Sequence, residues 1–404
     1  MPKNLNVLIS GGSVAGLALA YWLRHHGFSP TVVERAPAPR PGGYKIDIRG
    51  AALGVVERMG ILDEIRREST DMLGSSLVDG EGRRLATMDA DLFGGREGDD
   101  VEIMRGDLAR ILHGRIAEGV EYIFDDSITA VTEHEDGVDV IFERSAPRTF
   151  DLVVGADGLH SNVRSLVFGD ESRFIRDLGY HISIFTTPNH LGLDRWELMH
   201  PAPGKSAGMY STRQDAQAKA MFIFASGALD HDHRDVARQK KILAETFAGG
   251  AWEVSRLLDS MWDAPDFYFD SISQIHMDRW SSGRTALVGD AGYGPSPASG
   301  QGTSLALVGA YVLAGELAAA AGDHRTAFAR YEEEMRDFVT QNQKLAQTNI
   351  KGMVVTSKAQ IWVQTRMLRL LPHLPASWSD RVIGRITETI RKAATAITLK
   401  DYRS

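Results

Sequence analysis

The chain has 404 residues, 43% of them hydrophobic and 24% charged, which is ordinary globular composition with enough length for two cores. Its formal net charge of -8 argues against a nucleic-acid partner, because such proteins concentrate lysine and arginine on one face. The sequence contains no cysteine, which excludes disulfides, thiolate metal sites, Fe–S clusters and electron transfer through a dithiol pair.

The apolar N-terminal stretch is predicted to be part of the fold. It is interrupted by Gly11 and Gly12, and it has neither a basic leader nor a small-residue cleavage pattern. The Ala-rich run at 305–321 contains Glu316 and several glycines, so we expect a buried helix there and no membrane span. We therefore expect a soluble cytoplasmic protein, monomeric or homodimeric, without membrane or nucleic-acid partners.

The first third of the chain has the pattern of a βαβ unit followed by mixed elements. An apolar strand, a helix with 3.6-residue spacing and a β-branched strand ending on an acid make up the unit. The predicted elements are a strand at 4–10, a helix at 14–26, a strand at 31–34, a helix at 105–117, a hairpin of 128–133 and 138–143 around Asp136-Gly137, and a buried strand at 151–155.

From residue 174 to 275 longer alternating segments predict a mostly antiparallel second sheet with one helix at 236–247. A strand at 285–289 and a long helix from Gly302 then resume the alternation of strand and helix seen in the first third of the chain. The remainder is helical, with a break at Pro372 and Pro375. We predict an α/β fold. Its parts are a discontinuous Rossmann-type nucleotide-binding domain (1–173 and 276–340), a β-sheet domain (174–275) and a C-terminal helical segment bridging both (341–404).

The turn Gly11-Gly12-Ser13-Val14-Ala15-Gly16 lies where the G-x-G-x-x-G fingerprint of a dinucleotide site would lie, with Ser13 replacing the second glycine. Backbone N–H groups at the helix start would meet a pyrophosphate. Glu34 follows Gly16 by 18 residues, close to the spacing at which an acid meets ribose hydroxyls, and Arg35 can lie over adenine or phosphate. The alternative is a tight strand-to-helix connection with a solvated acid.

Two further motifs give the chain a family resemblance. Asp151-Leu152-Val153-Val154-Gly155-Ala156-Asp157-Gly158, followed by Ser161, Val163 and Arg164, resembles the "DG" motif of group A flavoprotein monooxygenases, the para-hydroxybenzoate hydroxylase-like enzymes. The segment from Arg284 through Gly289-Asp290 and Pro297 to Gly300-Gln301-Gly302 resembles their "GD" motif. The similarity is greatest to the compact subgroup of tetracycline-degrading monooxygenases and polyketide-tailoring hydroxylases.

The resemblance implies an FAD site in the discontinuous domain and a substrate site in the β-sheet domain. It implies that Arg105 and Asp157 contact FAD, that Arg164 contacts FAD or the pyridine nucleotide, and that Asp47 after Gly42-Gly43 belongs to the same site. Asp290 can accept hydrogen bonds from ribityl hydroxyls, and the helix start at Gly300-Gln301-Gly302 can stabilise an anionic flavin. The alternatives are a Gly-rich buried turn, a helix-start acid and surface arginines.

The sequence departs from the family pattern at two places that bear on the pocket. The GD motif commonly continues Ala-His and carries a Pro-Pro pair, whereas this chain has Gly292-Tyr293 and Ser296-Pro297. The strand alternation makes His181 and Tyr210 candidates for the substrate pocket. Asp230-His231-Asp232-His233 has metal-like spacing, but alternating charge in a loop is typical of a solvated turn, and we predict no metal.

The resemblance implies a single-component monooxygenase with non-covalent FAD. NAD(P)H would reduce the flavin, O2 would add at flavin C4a, and the hydroperoxide would deliver one oxygen atom to a bulky aromatic or polycyclic substrate. Hydroxylation is expected first, with epoxidation and Baeyer–Villiger insertion as alternatives. A halogenase is disfavoured because Trp196-Glu197-Leu198 does not match its Trp-x-Trp-x-Ile-Pro element. A non-catalytic FAD-containing drug-binding protein remains the rival of a different class.

Overall fold

The computed structural model describes residues 5–39, 42–96, 98–116, 118–212, 216–227, 229, 232–370, 384 and 387–402. Its strands are β1 Asn6–Ser10, β2 Ser29–Glu34, β3 Lys45–Ile48, β4 Gly74–Val78, β5 Arg84–Asp89, β6 Val101–Met104, β7 Glu121–Phe124, β8 Ile128–His134, β9 Gly137–Phe142, β10 Arg148–Phe150, β11 Leu152–Gly155, β12 Ile175–Pro188, β13 Trp196–Ala202, β14 Lys205–Ser211, β15 Gln217–Ala225, β16 Tyr268–Ile275, β17 Ser281–Ser282 and β18 Thr285–Leu287.

Helices alternate with these strands in the first part of the chain and follow them at the end. They are α1 Val14–His25, α2 Ala51–Arg58, α3 Leu62–Arg67, α4 Ala90–Gly94, α5 Arg105–Ile116, α6 Asn162–Phe168, α7 Val236–Phe247, α8 Val254–Met261, α9 Asp290–Tyr293, α10 Gly302–Ala319, α11 His324–Met353 and α12 Lys358–Leu370. Short 3₁₀ turns lie at Glu171–Arg173 and Pro297–Ser299.

A six-stranded sheet in the order β17-β18-β11-β1-β2-β7 forms the nucleotide-binding half, and all its pairs except β17 with β18 are parallel. Val7, Leu8 and Ile9 at its centre are fully buried, as expected of a parallel strand covered on both faces. Helices α1 and α10 pack against each other beside it. The predicted βαβ unit and the hairpin of β8 and β9 are confirmed.

A seven-stranded sheet in the order β16-β12-β15-β14-β13-β4-β5 forms the other half. Its pairs are antiparallel except for β13 with β4, which confirms the mostly antiparallel prediction. Two of its strands, β4 and β5, come from outside the range 174–275 that the sequence assigned to this sheet. Sequence analysis missed β4 because its residues are buried on both faces, Leu77 only partly, so the strand lacks the two-residue alternation of a half-buried strand.

Alternation along these strands separates two faces of the seven-stranded sheet. One face packs with Phe185, Phe222 and Phe224 against α7 and α8, forming a hydrophobic cluster of its own. The opposite face carries Ile182 and Ile184, which line a large cavity. The predicted helix at 236–247 is confirmed as α7, and it covers the face away from the cavity.

The long helices at the end of the described chain connect the two halves. Helix α10 has the length and apolar composition of a membrane span, but 78% of that stretch is buried, so it is the core helix that the sequence predicted. Helix α11 runs without interruption through residue 340, so a domain boundary at 340/341 divides a continuous helix. Lys400 and Tyr402 bind Glu316 of α10 and fix the last described residues. Pro372 and Pro375 lie outside the described residues.

Candidate functional site

A cavity of about 2180 Å³ extends between the two halves of the molecule. On one side it is lined by residues of the phosphate-binding turn and of the segment from Asp290 to Thr303. On the other side it is lined by the seven-stranded sheet and by Met353 of α11 and Val363 of α12. The carboxyl ends of parallel strands β1, β2 and β11 point to this space, the usual position for a ligand in such sheets.

The turn after β1 is built for close approach of backbone. Gly11 has φ +109°, and a Cβ there would lie 2.5 Å from the carbonyl oxygen of Ala156, so only glycine fits. A Cβ at Gly16 would lie 1.9 Å from the carbonyl oxygen of Gly11. Gly16 therefore serves helix-to-strand packing, while Gly11, Ser13, Val14 and Ala15 line the cavity. N–H groups of the first turn of α1 have no partner within the helix and can bind an anion.

Glu34 ends β2 at the cavity, as the spacing predicted. Its Oε2 accepts a hydrogen bond from the Gly12 N–H at 2.7 Å and its Oε1 accepts one from the Ala36 N–H at 2.9 Å. These bonds fix the carboxylate beside the phosphate-binding turn. Arg35 follows it, exposed, and also lines the cavity.

Asp157 organises the loop of the DG motif from a half-buried position that lines the cavity. Its carboxylate accepts hydrogen bonds from Ser161 Oγ at 2.5 Å, from the N–H groups of Asn162 and Val163 at 2.9 and 3.1 Å, and from Ser10 Oγ at 3.2 Å. Burial raises the pKa of Asp157, and these hydrogen bonds oppose that rise. The carboxylate thereby holds the start of α6 against β1.

Arg164 does not line the cavity, contrary to what the resemblance implied. Its side chain is fully buried, and its guanidinium donates to the carbonyl oxygens of Ala291 at 2.9 Å and Leu159 at 2.6 Å and to Glu171 at 2.5 Å. These contacts tie the DG loop to the segment that follows Asp290. In this structure Arg164 therefore positions the two motifs relative to each other.

The GD segment supplies an acid and a helix start. Asp290 lines the cavity; burial raises its pKa, and the nearby positive charge of Arg105 opposes the rise. Arg105 lines the cavity as well and donates from Nη2 to Ser13 Oγ at 2.7 Å, linking α5 to the phosphate-binding turn. Pro297, Gly300 and Gly302 complete this wall, with free N–H groups at the start of α10.

Gln301 lies between two of these lining glycines, but its side chain is turned away from the cavity. It is fully buried, and neither of its amide atoms has a hydrogen-bond partner among the described residues. Buried amide atoms rarely lack a hydrogen-bond partner, so the side-chain amide of Gln301 can still donate and accept hydrogen bonds near the start of α10.

The two departures from the family pattern have different consequences. Tyr293 is fully buried in the nucleotide-binding half, with its hydroxyl 2.9 Å from the hydroxyl of Tyr331 and its ring 4.6 Å from Trp280. It does not line the cavity, whereas Ser296 and Pro297 do. Only the second departure therefore affects the shape of the cavity.

Of the two predicted pocket residues, the structure brings one to the cavity. Tyr210 on β14 lines it. His181 lies on the other face of β12, where Nδ1 is 2.7 Å from Ser226 Oγ and the ring stacks on Phe224 at 5.6 Å. His181 therefore does not line this cavity. Alternation separates the two faces of a strand, but it does not show which face meets the cofactor half.

Sequence analysis missed the residues that form most of the sheet side of the cavity. Tyr44 and Tyr268, with ring centroids 5.6 Å apart, lie next to an apolar wall. Lys45 on β3 forms an ion pair with Glu197 on β13 at 2.6 Å. Asp47, two residues further along β3, was not missed: the resemblance implied it as a site residue, and it lines the cavity and binds Arg49 at 2.8 Å. The apolar wall is formed by Ile182, Ile184, Met221, Ile223 and Met353.

The metal-like sequence at 230–233 is only partly described, because Asp230 and His231 lie outside the described residues. His233 stacks on the ring of His160 at 4.2 Å. Within the described ranges no group of three or more His, Asp or Glu side chains is arranged to hold a metal ion.

The residues at this cavity fit FAD. They offer a turn at Gly11 that has no room for a Cβ, the Glu34 carboxylate at the end of β2, and Arg105 beside the turn. The start of α10 adds free N–H groups. A parallel nucleotide-binding sheet joined across one cavity to a largely antiparallel sheet defines a two-part flavoprotein.

The comparisons with known proteins identify the class further. Residues 4–346 match the family model described as FAD binding domain. The chain is 51% identical over 348 residues to an uncharacterized protein of Mycobacterium tuberculosis, covering 86% of this chain and 94% of that one. It is 40% identical over 404 residues to a flavin-dependent monooxygenase of Legionella longbeachae, covering both chains completely. The crystal structure of tetracycline destructase Tet(55) superposes with a TM-score of 0.85 at 41% identity, also over both complete chains.

The chain therefore belongs to the FAD-binding-domain family, and it is a flavin-dependent monooxygenase of the group A type. This confirms the resemblance that the DG and GD motifs carried. It also confirms the α/β fold class and the FAD cofactor.

Proposed function

We propose that this protein uses NAD(P)H to reduce its FAD and inserts one atom of O2 into a bulky aromatic or polyketide-like small molecule, with hydroxylation as the main outcome. The observation that carries the proposal is the cavity of about 2180 Å³, which continues from the nucleotide-binding turn to an apolar, aromatic wall. A drug-sized ligand alone needs about 300–1000 Å³, so this cavity has room for a cofactor and a large second molecule together.

The bound flavin supplies the redox and oxygen chemistry. The chain's own residues would hold and orient the cofactor: Gly11, Ser13 and Glu34, which line the cavity, would bind the dinucleotide end, and Asp290 would bind hydroxyls of the linker. The N–H groups at the start of α10 would stabilise negative charge that develops on the bound cofactor. The sheet side excludes water and holds the substrate, because Ile184, Met221 and Ile223 present apolar surface to the cavity.

The substrate class is supported by the wall and by one relative. Tyr44 and Tyr268 provide flat surfaces against which a conjugated ring can stack. A structure 41% identical to this chain is named a tetracycline destructase, which makes tetracycline the first compound to test. Epoxidation and Baeyer–Villiger insertion require the same cavity and are distinguished by the product.

The test is turnover by the purified protein. We expect a visible flavin spectrum, and NADPH or NADH oxidation with O2 consumption that a polycyclic phenol or tetracycline stimulates. Mass spectrometry after reaction under ¹⁸O2 should show one labelled atom in the product, and NMR separates a new hydroxyl from a lactone or an epoxide. A flavoprotein that binds these compounds without stimulated NAD(P)H oxidation would instead be the non-catalytic binding protein.

A further inference from the structure

One part of the sheet side is polar, in contrast to the apolar wall beside it. Glu197 on β13 and Tyr210 on β14 are paired directly across the two strands, and both line the cavity. Lys45 Nζ donates to Glu197 Oε2 at 2.6 Å and lies 4.9 Å from the centroid of the Tyr210 ring. The Lys45 N–H also lies 3.4 Å from the Tyr210 hydroxyl oxygen. These contacts fix the three side chains as one group.

The two carboxylate oxygens of Glu197 differ in their hydrogen bonding: Oε2 accepts from Lys45, and Oε1 does not share this bond. Glu197 is 1% exposed, and its Oε1 has no hydrogen-bond partner among the described residues. A buried carboxylate oxygen without a donor is costly, so such an atom calls for an explanation. Because Glu197 lines the cavity, a donor on a bound molecule can satisfy Oε1.

The charges around Glu197 indicate which kind of donor fits. Lys45 also lies 3.8 Å from Glu102, and Arg96 lies 2.8 Å from Glu102 and 3.5 Å from Asp47, which pairs with Arg49 at 2.8 Å. Arg96 also pairs with Asp91 at 3.1 Å, but the Asp91 side chain is 75% exposed, so solvent screens its charge. The largely buried part of the network has three cations and three anions and is balanced. An additional cation would leave a buried positive charge uncompensated, whereas a neutral O–H donor would not.

We propose that Glu197 is a specificity-determining residue whose Oε1 accepts a hydrogen bond from a phenolic or enolic hydroxyl of the substrate. Lys45 holds the carboxylate in place, and the Tyr210 hydroxyl can donate to a neighbouring oxygen of the same molecule. This inference rests on the proposed function for its substrate class. Replacing the hydroxyl by a methyl ether removes the donor and leaves the carboxylate oxygen unsatisfied, so the enzyme discriminates against the ether.

The experiment compares dissociation constants of 2-hydroxyanthraquinone and 2-methoxyanthraquinone for the oxidised holoenzyme, measured by quenching of flavin fluorescence. We expect the hydroxyl compound to bind about tenfold more tightly, the effect of one hydrogen bond to a charged group. In Glu197→Gln, Lys45 retains the amide oxygen, and the amide NH2 then faces the ligand as a donor. The preference should fall to about onefold to twofold, because this removes the acceptor.

The matched control is Glu102→Gln. It removes one negative charge from the same network, but both Glu102 oxygens already have partners, Thr70 Oγ1 at 2.5 Å and Arg96 at 2.8 Å. The preference for the hydroxyl compound should therefore be unchanged in this variant. Glu197→Asp serves as a second variant, since it keeps the charge and withdraws the acceptor by one methylene; it should also lose the preference.

An unchanged preference in both Glu197 variants, with flavin content intact, overturns the proposal. An equal loss in Glu102→Gln overturns it too, because network charge would then be the cause. Absence of discrimination by the wild-type protein, including failure to bind either compound, has the same consequence. NADPH and O2 consumption are measured separately: discrimination without substrate-stimulated turnover contradicts the proposed function and leaves the Glu197 subsite standing.

Discussion

The two sides of the cavity are built in different ways. On the cofactor side, backbone makes the site: Gly11 has no room for a side chain, and the starts of α1 and α10 present N–H groups. On the sheet side, side chains at alternate strand positions make it, as with Ile184 and Met221. A backbone site restricts which residues the sequence may contain, whereas a strand face accepts many residues of similar size. The first side should therefore tolerate substitution far less than the second.

The sharpest test of this difference is Gly11→Ala. A Cβ there would lie 2.5 Å from the Ala156 carbonyl oxygen at φ +109°, so the turn must shift away from the position that binds pyrophosphate. We expect about 3 kcal/mol of strain, which weakens FAD binding about 100-fold, so that the protein purifies with little flavin. The measurement is the flavin-to-protein absorbance ratio, followed by FAD titration of the apoprotein.

Gly27→Ala is the matched control for Gly11→Ala. Gly27 also has a positive φ, +82°, but no atom lies within 4 Å of a Cβ built there. We expect a loss of about 1 kcal/mol in the free energy of unfolding, with full FAD content. If Gly11→Ala also retained full FAD content, the close approach of backbone at this turn would not be what binds the cofactor.

This contrast also explains how much the sequence could predict. Gly11 and Glu34 were predicted from the spacing of the phosphate-binding turn, whereas Asp157 and Asp290 were predicted from the resemblance of the DG and GD motifs. All four line the cavity. The position of His181, which does not line the cavity, could not be predicted because β12 has two candidate faces, and the topology that decides between them is a long-range property. Glu197 and Lys45 are 152 positions apart in sequence, and no local pattern connects them.

The second prediction compares two neighbours on β12. Phe185 is fully buried on the face away from the cavity, with its ring 5.9 Å from Phe222. Phe185→Ala should reduce the free energy of unfolding by about 3–5 kcal/mol, measured by urea denaturation, because it leaves a void in a packed core. The Michaelis constant for the aromatic substrate should remain near the wild-type value in the fraction that folds.

Ile184→Ala, one residue away, should affect the Michaelis constant more than Phe185→Ala does and the free energy of unfolding less. Ile184 is 6% exposed and lines the cavity, where the lost methyl groups leave space in the substrate chamber. We expect a smaller loss of stability, about 2 kcal/mol, and about a tenfold increase in the Michaelis constant with flavin content unchanged. Similar changes in the Michaelis constant for both variants would contradict the assignment of the two faces.

The third prediction concerns a contact that joins the two sides. His160, on the DG loop, places Nδ1 2.8 Å from Glu171 Oε1 and Nε2 3.1 Å from Asp270 Oδ1 of β16, in the seven-stranded sheet. Burial alone would lower the pKa of His160, but hydrogen bonds to Asp270 and Glu171 outweigh it and raise the pKa to about 9. The protonated ring therefore links the nucleotide-binding half to the sheet.

Because the folded-state pKa of His160 lies above the unfolded value of about 6.5, its contribution to stability is complete below pH 6.5 and disappears as the pH rises through about 9. We expect urea denaturation to show that the free energy of unfolding falls by on the order of 2 kcal/mol between pH 6 and pH 9.5, and that this fall is absent in His160→Gln. His26→Gln is the control, since burial lowers the pKa of His26 to about 4 and it stays neutral throughout this range. If the loss persists in His160→Gln, a different titrating group connects the two sides.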